Sequence, residues 1–385
     1  METNQLTEAQ KATLAVLTTR SISLGLSVRF LPKVTEGRRV ACYRLQPLGS
    51  TRASHIEGIA DDLALALQVE SVLVRSLPAE GCVGIFVPRP AAEVKPTLWR
   101  DLVGAQPKGP PGFYKIPLSL GVNWLGNPVF DDLTTLPHLL MAGATGSGKS
   151  VLMRSIIASI CFANSAKLVL SDTKGVEFTE FGGNPTLLFK DVATTPLGTI
   201  EQMDLLCKFT DERLALFGKA GVRNIAEFNL RFPSENIGGS SQKLAYIVLA
   251  IDELADIVFL PGEKGRAAKI GADKLDYLTR KARAAGIHVI AGTQRPSVDT
   301  VKGVIKANFM ARLSFKTASA VDSKVILDEV GAEHLLEVGD MLYRSPCFAG
   351  LQRLHSGYAS KEDIHGAISF ARFAEETKAA KQPNQ

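Results

Sequence analysis

The stretch GATGSGKS, Gly143 to Ser150, sets three glycines, a lysine and a terminal hydroxyl between an apolar run, Leu139–Ala142, and a helical pattern over Ser150–Phe162. The spacing GxxxxGK[ST] in a strand–turn–helix context suits a nucleoside triphosphate. Glycines let successive backbone N–H groups curl around phosphates, and the helix N-terminus adds its dipole. The candidate ATP-binding positions are therefore Gly143, Ala144, Thr145, Gly146, Ser147, Gly148, Lys149, Ser150 and Val151. Lys149 would neutralise the β- and γ-phosphates, and Ser150 would offer its hydroxyl to Mg2+.

A second stretch, YIVLAIDELAD, ends an apolar run in Asp252-Glu253. Adjacent carboxylates at a strand exit are costly unless something uses their charge. Asp252 is the candidate for holding Mg2+, and Glu253 for polarising the attacking water as general base. Thr293-Gln294 follows another apolar run, Ile287–Ala291. The Gln294 amide could orient that water or sense the γ-phosphate. His288, inside the run, reads as a satisfied core histidine.

These residues need elements that bring them together. Leu139–Ala142, Lys167–Leu170, Ala245–Ile251 and Ile287–Ala291 are short apolar runs, as expected of central strands covered on both faces. Parallel strands exit on one edge, so the phosphate loop, the acid pair and Gln294 are expected to share it. The fold class expected for residues 113–372 is α/β with a central, mostly parallel sheet. Residues 1–112 read as a small α+β domain. Its strands are expected at Leu26–Leu31 and Arg39–Leu45 around the turn VTEG, with a helix over His55–Leu67 and a hairpin of Val72–Leu77 with Val83–Val87. PKGPPG, residues 107–112, is the expected linker. Residues 373–385 read as a polar, disordered tail.

Composition fits a globular chain of 385 residues, 45% hydrophobic and 22% charged. A net charge of +5 hints only mildly at a polyanionic partner. Five cysteines without a CxxC pair read as buried thiols in a reducing compartment, not as a disulfide or zinc framework. The sequence has no apolar run of about 18 residues, and its start, METNQLTEAQ, is polar. No membrane insertion and a cytoplasmic location are expected.

The segments HLLMAGATGSGKS, SDTKGVEF, GVRNIAEFN, IDELAD, KARAAGIHVIAGTQRPSVD and DSKVILDEVGAEHLLEVGDMLY occur in this order between Pro137 and Ser345. Together they resemble the motor of the FtsK/SpoIIIE family of double-stranded DNA translocases. The hairpin-and-helix domain also looks like the smaller domain preceding that motor. The resemblance implies a RecA-like P-loop ATPase that uses ATP and Mg2+ and assembles as a homo-hexameric ring around duplex DNA. It implies that Arg283, in the helix before the Ile287–Ala291 run and with Arg280 and Lys281 as nearby competitors, reaches a neighbouring subunit's nucleotide. Arg295, Lys306 and Lys324 align with the family's pore loops and become the DNA-binding candidates. From Arg295 to Lys324 six basic residues meet two acids, a density that suits phosphate contact. No aromatic interleaving there suggests base stacking, so backbone tracking is expected.

Three positions depart from the family pattern. Met310 stands where proline is usual, Ala320 where a basic residue is frequent, and Lys324 where arginine is usual. A weaker or rearranged grip on DNA is therefore expected. Larger relatives carry a membrane region and a winged-helix domain that reads DNA orientation. The chain is expected to hold neither, leaving direction to a partner or unfixed. The alternatives are a type VII secretion-like ATPase that translocates protein, an ATP-dependent DNA clamp, and a conjugative DNA pump. The process served stays open among chromosome segregation, a plasmid or mobile element, and defence.

Overall fold

The computed structural model describes residues 6–380 except 95, 108–113, 185–186, 233–242, 259–264, 295, 297–302 and 337. Most of the expected linker, and Arg295, therefore lie outside the described residues.

The small domain runs α1 (Glu8–Ser23), β1 (Val28–Glu36), β2 (Val40–Pro47), α2 (Ala53–Glu57), α3 (Ala60–Leu67), β3 (Leu73–Leu77) and β4 (Cys82–Pro88). Its antiparallel sheet has the order β1-β2-β4-β3. Thr7 starts α1 with a capping box, accepting from the Gln10 N–H while Gln10 reaches back. Leu17 of α1, Ile56 and Leu63 pack with Leu45 and Ile85 into one core. Two expectations shift. β1 continues through VTE, so the chain turns at Gly37, where an added Cβ would lie 1.6 Å from the Trp124 carbonyl oxygen. The helix expected over His55–Leu67 is two helices, the first capped by Gly58.

The larger domain takes in α4 (Trp99–Ala105), which the expected boundary at residue 112 leaves in the small domain, because the Trp99 indole N–H donates to Ser159 Oγ at 2.8 Å. It continues with β5 (Pro117–Asn123), β6 (Pro128–Asp132), β7 (His138–Ala142), α5 (Lys149–Ala163), β8 (Ala166–Ser171), α6 (Pro196–Ala220), α7 (Ile225–Arg231), β9 (Tyr246–Ile251) and α8 (Ala255–Val258). α9 (Gly265–Lys281), β10 (Ile287–Thr293), α10 (Gly303–Asn308), β11 (Ala311–Phe315), α11 (Ala320–Leu327), β12 (Asp340–Arg344), β13 (Gln352–Ser356) and α12 (Lys361–Ala380) complete it. Among the described residues one nine-stranded sheet has the order β6-β5-β13-β12-β11-β7-β10-β9-β8. The β11-β7-β10-β9-β8 part is parallel, and the remaining pairs are antiparallel. Every residue of β7 and β10 is buried, as the continuous apolar runs require. α5 and α12 pack over one face through Leu152, Ile156 and Ile364. α6 and α9 cover the other through Met203, Leu206, Leu275 and Leu278.

Two further readings are corrected. The tail is helical as far as Ala380, because α12 is held from outside its own sequence. Phe370 stacks on Phe162 with centroids 4.8 Å apart, and Glu375 accepts from Asn164 at 2.7 Å. Cys42, Cys82 and Cys161 are buried, but Cys207 is half-buried and Cys347 is exposed.

Candidate nucleotide site

β7 delivers the chain into the glycine-rich turn, and α5 opens at Lys149 with no side-chain cap on its first N–H groups. Those groups and the helix dipole are what an anion takes up. Gly146 and Gly148 have φ of +80° and +110°, conformations that L side chains rarely adopt. A Cβ on Gly143 would sit 2.5 Å from Ser147 Oγ, and one on Gly148 would sit 2.9 Å from the Gly339 nitrogen. The turn is thus a backbone cradle that added side chains would fill. Ser147 Oγ is buried in it without a partner among the described residues.

Around the cradle the C-terminal ends of β7, β9 and β10 converge. Lys149, 3% exposed, donates to Asp252 Oδ1 at 2.8 Å and to the Asp252 carbonyl at 2.6 Å. Ser150 Oγ lies 3.3 Å from the same Oδ1. These two oxygens are the donor type a hard divalent cation takes, so Ser150 and Asp252 fit Mg2+. Glu253 is fixed at both oxygens. Thr293 Oγ1 donates to Oε1 at 2.9 Å, the Gln294 N–H donates to Oε2 at 3.0 Å, and the Ala255 N–H adds a longer bond at 3.3 Å. The Gln294 side-chain oxygen accepts from Thr145 of the phosphate loop at 2.9 Å. One residue thereby touches both the loop and the acid.

Sequence reasoning missed two members of this arrangement. Thr293 reads as part of a polar exit, yet it is the last residue of β10 and fully buried. Gly292 lies just past the apolar run read from the sequence, yet it belongs to β10, and a Cβ there would lie 2.9 Å from Lys149 Nζ and 2.5 Å from the Asp252 carbonyl oxygen. A glycine inside an apolar strand is the signal that another group approaches closely. Val151, the last loop candidate, lies in α5 and is 36% exposed.

Arg283 lies elsewhere. α9 ends at Lys281, so Arg283 is in the turn before β10 rather than in the helix, and it is exposed. Its competitors are engaged locally: Arg280 pairs with Asp276 at 2.7 Å and Lys281 sits 4.8 Å from the Tyr277 ring centroid. The Arg283 side chain meets no acid among the described residues. Its turn is clamped. The buried Arg213 of α6 donates to the carbonyls of Ala285 at 2.7 Å and Ala245 at 2.8 Å, and the Ile225 N–H donates to the Ala284 carbonyl at 2.9 Å. Burial without an acidic partner pushes the Arg213 guanidinium down to about 10. The turn stands at the start of β10 and Gln294 at its end. Parallel strands rise about 3.3 Å per residue, so the two are roughly 20 Å apart. His288 is core, as expected, and its Nδ1 lies 2.9 Å from the Pro137 carbonyl oxygen. Its Nε2 is buried without a partner among the described residues, so it is only half satisfied.

The basic stretch also changes in three dimensions. Lys306 pairs with Asp328 at 2.6 Å, Arg312 shares that carboxylate at 2.5 Å, and Lys316 pairs with Glu70 at 2.5 Å. The balancing acids lie outside the Arg295–Lys324 window, so its charge is smaller than the sequence count. Lys324 on α11 is exposed, and its carbonyl accepts from Lys306 Nζ at 3.3 Å. These two DNA-binding candidates are therefore neighbours.

Among the described residues no helix is long and apolar enough to cross a membrane. Residues 113–298 match the FtsK/SpoIIIE family and residues 2–89 match the FtsK alpha domain. The chain is 36% identical over 356 residues to DNA translocase FtsK of Streptococcus pyogenes, covering 91% of this chain and 43% of that protein. It is 35% identical over 349 residues to DNA translocase FtsK of Helicobacter pylori, covering 89% and 39%. The chain thus spans less than half the length of these curated relatives. Among solved structures it is similar to the pCW3 conjugation coupling protein TcpA, monomer form with ATPγS. The TM-score is 0.65 at 22% identity over 94% of this chain and 99% of that one. The cytoplasmic domain of the Thermomonospora curvata type VII secretion ATPase EccC gives 0.59 at 18% identity, over 71% of this chain and 34% of that one. At these identities the solved structures speak for the P-loop ATPase fold. The two family matches, together with a curated relative 36% identical and aligned across 91% of this chain, make it a member of the FtsK/SpoIIIE family.

Proposed function

We propose that this chain is an ATP-driven motor that moves along double-stranded DNA as a ring, homo-hexameric as the family resemblance implies. The observation that carries the reading is Glu253, held at both oxygens beside the phosphate loop. A carboxylate pinned in this way is oriented to accept a proton from water attacking the γ-phosphate. The cradle and Lys149 would bind the phosphates, and Ser150 with Asp252 would hold Mg2+. When bound, the metal screens phosphate charge that the protein leaves uncompensated. Gln294, bonded to Thr145 and through its N–H to Glu253, would couple the state of the loop to the base.

Arg283 is too far from its own phosphate loop to serve it, which supports a role in a neighbour's site. DNA would be gripped by Lys324, with Lys306 beside it and Arg295 as the third candidate. The name DNA translocase carried by the curated relatives supports DNA as the track; that the DNA is duplex is what the family resemblance implies.

The experiment is ATP turnover with and without linear duplex, paired with displacement of a triplex-forming strand. The reading expects duplex to stimulate turnover and ATP to drive displacement. Turnover indifferent to duplex but raised by a polypeptide would replace it with protein translocation. Stimulation without displacement would replace it with a clamp.

A further inference from the structure

Besides its bond to β10, the phosphate loop is held from outside by two backbone hydrogen bonds. The Ala144 N–H donates to the Lys316 carbonyl at 3.0 Å, and the Gly339 N–H donates to the Ser147 carbonyl at 2.9 Å. The small domain reaches both braces. The Lys316 ammonium pairs with Glu70 at 2.5 Å, and the Arg39 guanidinium donates to the carbonyl of Val338, next to Gly339. Glu70 lies between α3 and β3, whereas Arg39 lies in the β1–β2 turn. The two routes thus leave the small domain at separate points.

The second brace carries a backbone outlier. Val338 has φ of +56°, a conformation that β-branched residues avoid. Such strain persists only where surroundings impose it. Here it turns one carbonyl toward Arg39 while the next N–H meets Ser147. Gly339 follows at φ +90°, where an added Cβ would lie 2.7 Å from Ser356 Oγ. Below it the buried Asp340 accepts from Arg353 Nε at 3.0 Å, and Arg353 lies over the small domain's Phe86, 5.6 Å from its centroid.

We infer that Arg39 and Glu70 are positioning residues for nucleotide binding. Through Val338–Gly339 and Lys316 they hold the phosphate loop in its cradle conformation, so the small domain supports the affinity of the motor. This rests on the reading of that loop as the ATP site. A loop that is correctly shaped only part of the time binds more weakly by that fraction, while chemistry in the bound state is unchanged.

The test titrates a fluorescent ATPγS analogue with Mg2+ into the full chain, alongside steady-state ATPase kinetics. Arg39→Ala and Glu70→Ala should each raise Kd about three- to tenfold as the competent fraction falls. Saturated kcat should stay within about twofold, since neither residue touches the reacting groups. Arg39→Lys should recover part of the affinity. Glu70→Lys should weaken binding, and adding Lys316→Glu should restore it. Where an alanine variant does not fold, the conservative and swapped variants decide. A folded double alanine variant with wild-type Kd overturns the inference, as does a loss that the swap leaves unrepaired. Lys149→Ala separates this from the underlying reading. If Lys149→Ala binds the analogue as tightly as wild type, the loop is not the site. If it does not bind while the double variant binds normally, only the brace is wrong.

Discussion

Thr293 and Glu253 are joined by a 2.9 Å hydrogen bond from hydroxyl to carboxylate, both groups buried at the end of the parallel sheet. The last residue of one strand thus aims the acid that follows its neighbour.

Removing that bond should cost rate but not affinity. A hydrogen bond to a charged group is worth about 1.5–3 kcal/mol, so Thr293→Val should lower kcat about ten- to a hundredfold. Glu253→Gln should lower it about 10²–10⁴-fold while still binding ATP, and Lys149→Ala should lose binding. Single-turnover hydrolysis beside nucleotide titration separates the three. Wild-type turnover by Glu253→Gln would remove that residue from the mechanism.

Arg283→Ala should bind ATP and hydrolyse it poorly, since arginine fingers contribute about 10³–10⁵ in rate. Mixing the variant into wild-type assemblies should depress activity more than in proportion. A strictly proportional loss would assign Arg283 to its own fold.

Lys324 and Lys306 should separate in their effects on DNA. Each phosphate contact contributes about 0.9 to the slope of log K against log salt. Lys324→Ala, which exposes no new charge, should flatten that slope on random, GC-rich and AT-rich duplexes alike. Lys306→Ala should also leave Asp328 with one cation instead of two, costing at most about 1 kcal/mol of stability because Asp328 is exposed. Salt titrations on the three duplexes, with urea unfolding of both variants, check this. An unchanged slope in Lys324→Ala would take DNA grip away from α11.

Acid should loosen the fold before most carboxylates titrate. Burial pushes His138 down to about 3 and His288 and His355 to about 4. Their unfolded value is about 6.5, so between there and pH 4 the unfolded chain binds more protons. Their stabilisation is therefore full above about pH 6.5 and falls with pH toward the folded values, by up to roughly 4 kcal/mol per unit for the three together. Urea midpoints from pH 7 to pH 5 should fall, and His288→Gln should remove about a third of the slope. A midpoint flat across that range would mean that these imidazoles are not buried neutral.

The chemistry was legible in the sequence where it is local. The phosphate loop and the acid pair sit on runs whose apolar continuity reports burial on both faces. The sequence reading does not anticipate the antiparallel arm: β5 with β6 and β12 with β13 are local pairs, but what joins them to one sheet is β13 against β5, where Leu354 meets Asn123 from a distant segment. Thr293 reads only as part of a polar exit because its partner lies 40 positions away. The basic stretch was overcounted because Asp328 and Glu70 fall outside it. The resemblance puts Arg283 in a helix, whereas α9 ends at Lys281 and Gly286 at φ +74° closes the chain into a turn.

The placement of Gln294 and the Arg283 turn at opposite ends of β10 has a consequence for assembly. Under the trans reading, two copies that share one composite site meet through unlike surfaces. Such a contact cannot close on itself in a twofold pair; repeated, it closes as a ring or runs on as a filament. An open run always leaves one terminal nucleotide without an arginine and one terminal arginine without a nucleotide. Only closure removes both ends, so turnover per copy should climb as the run lengthens and reach its full value when the circle shuts.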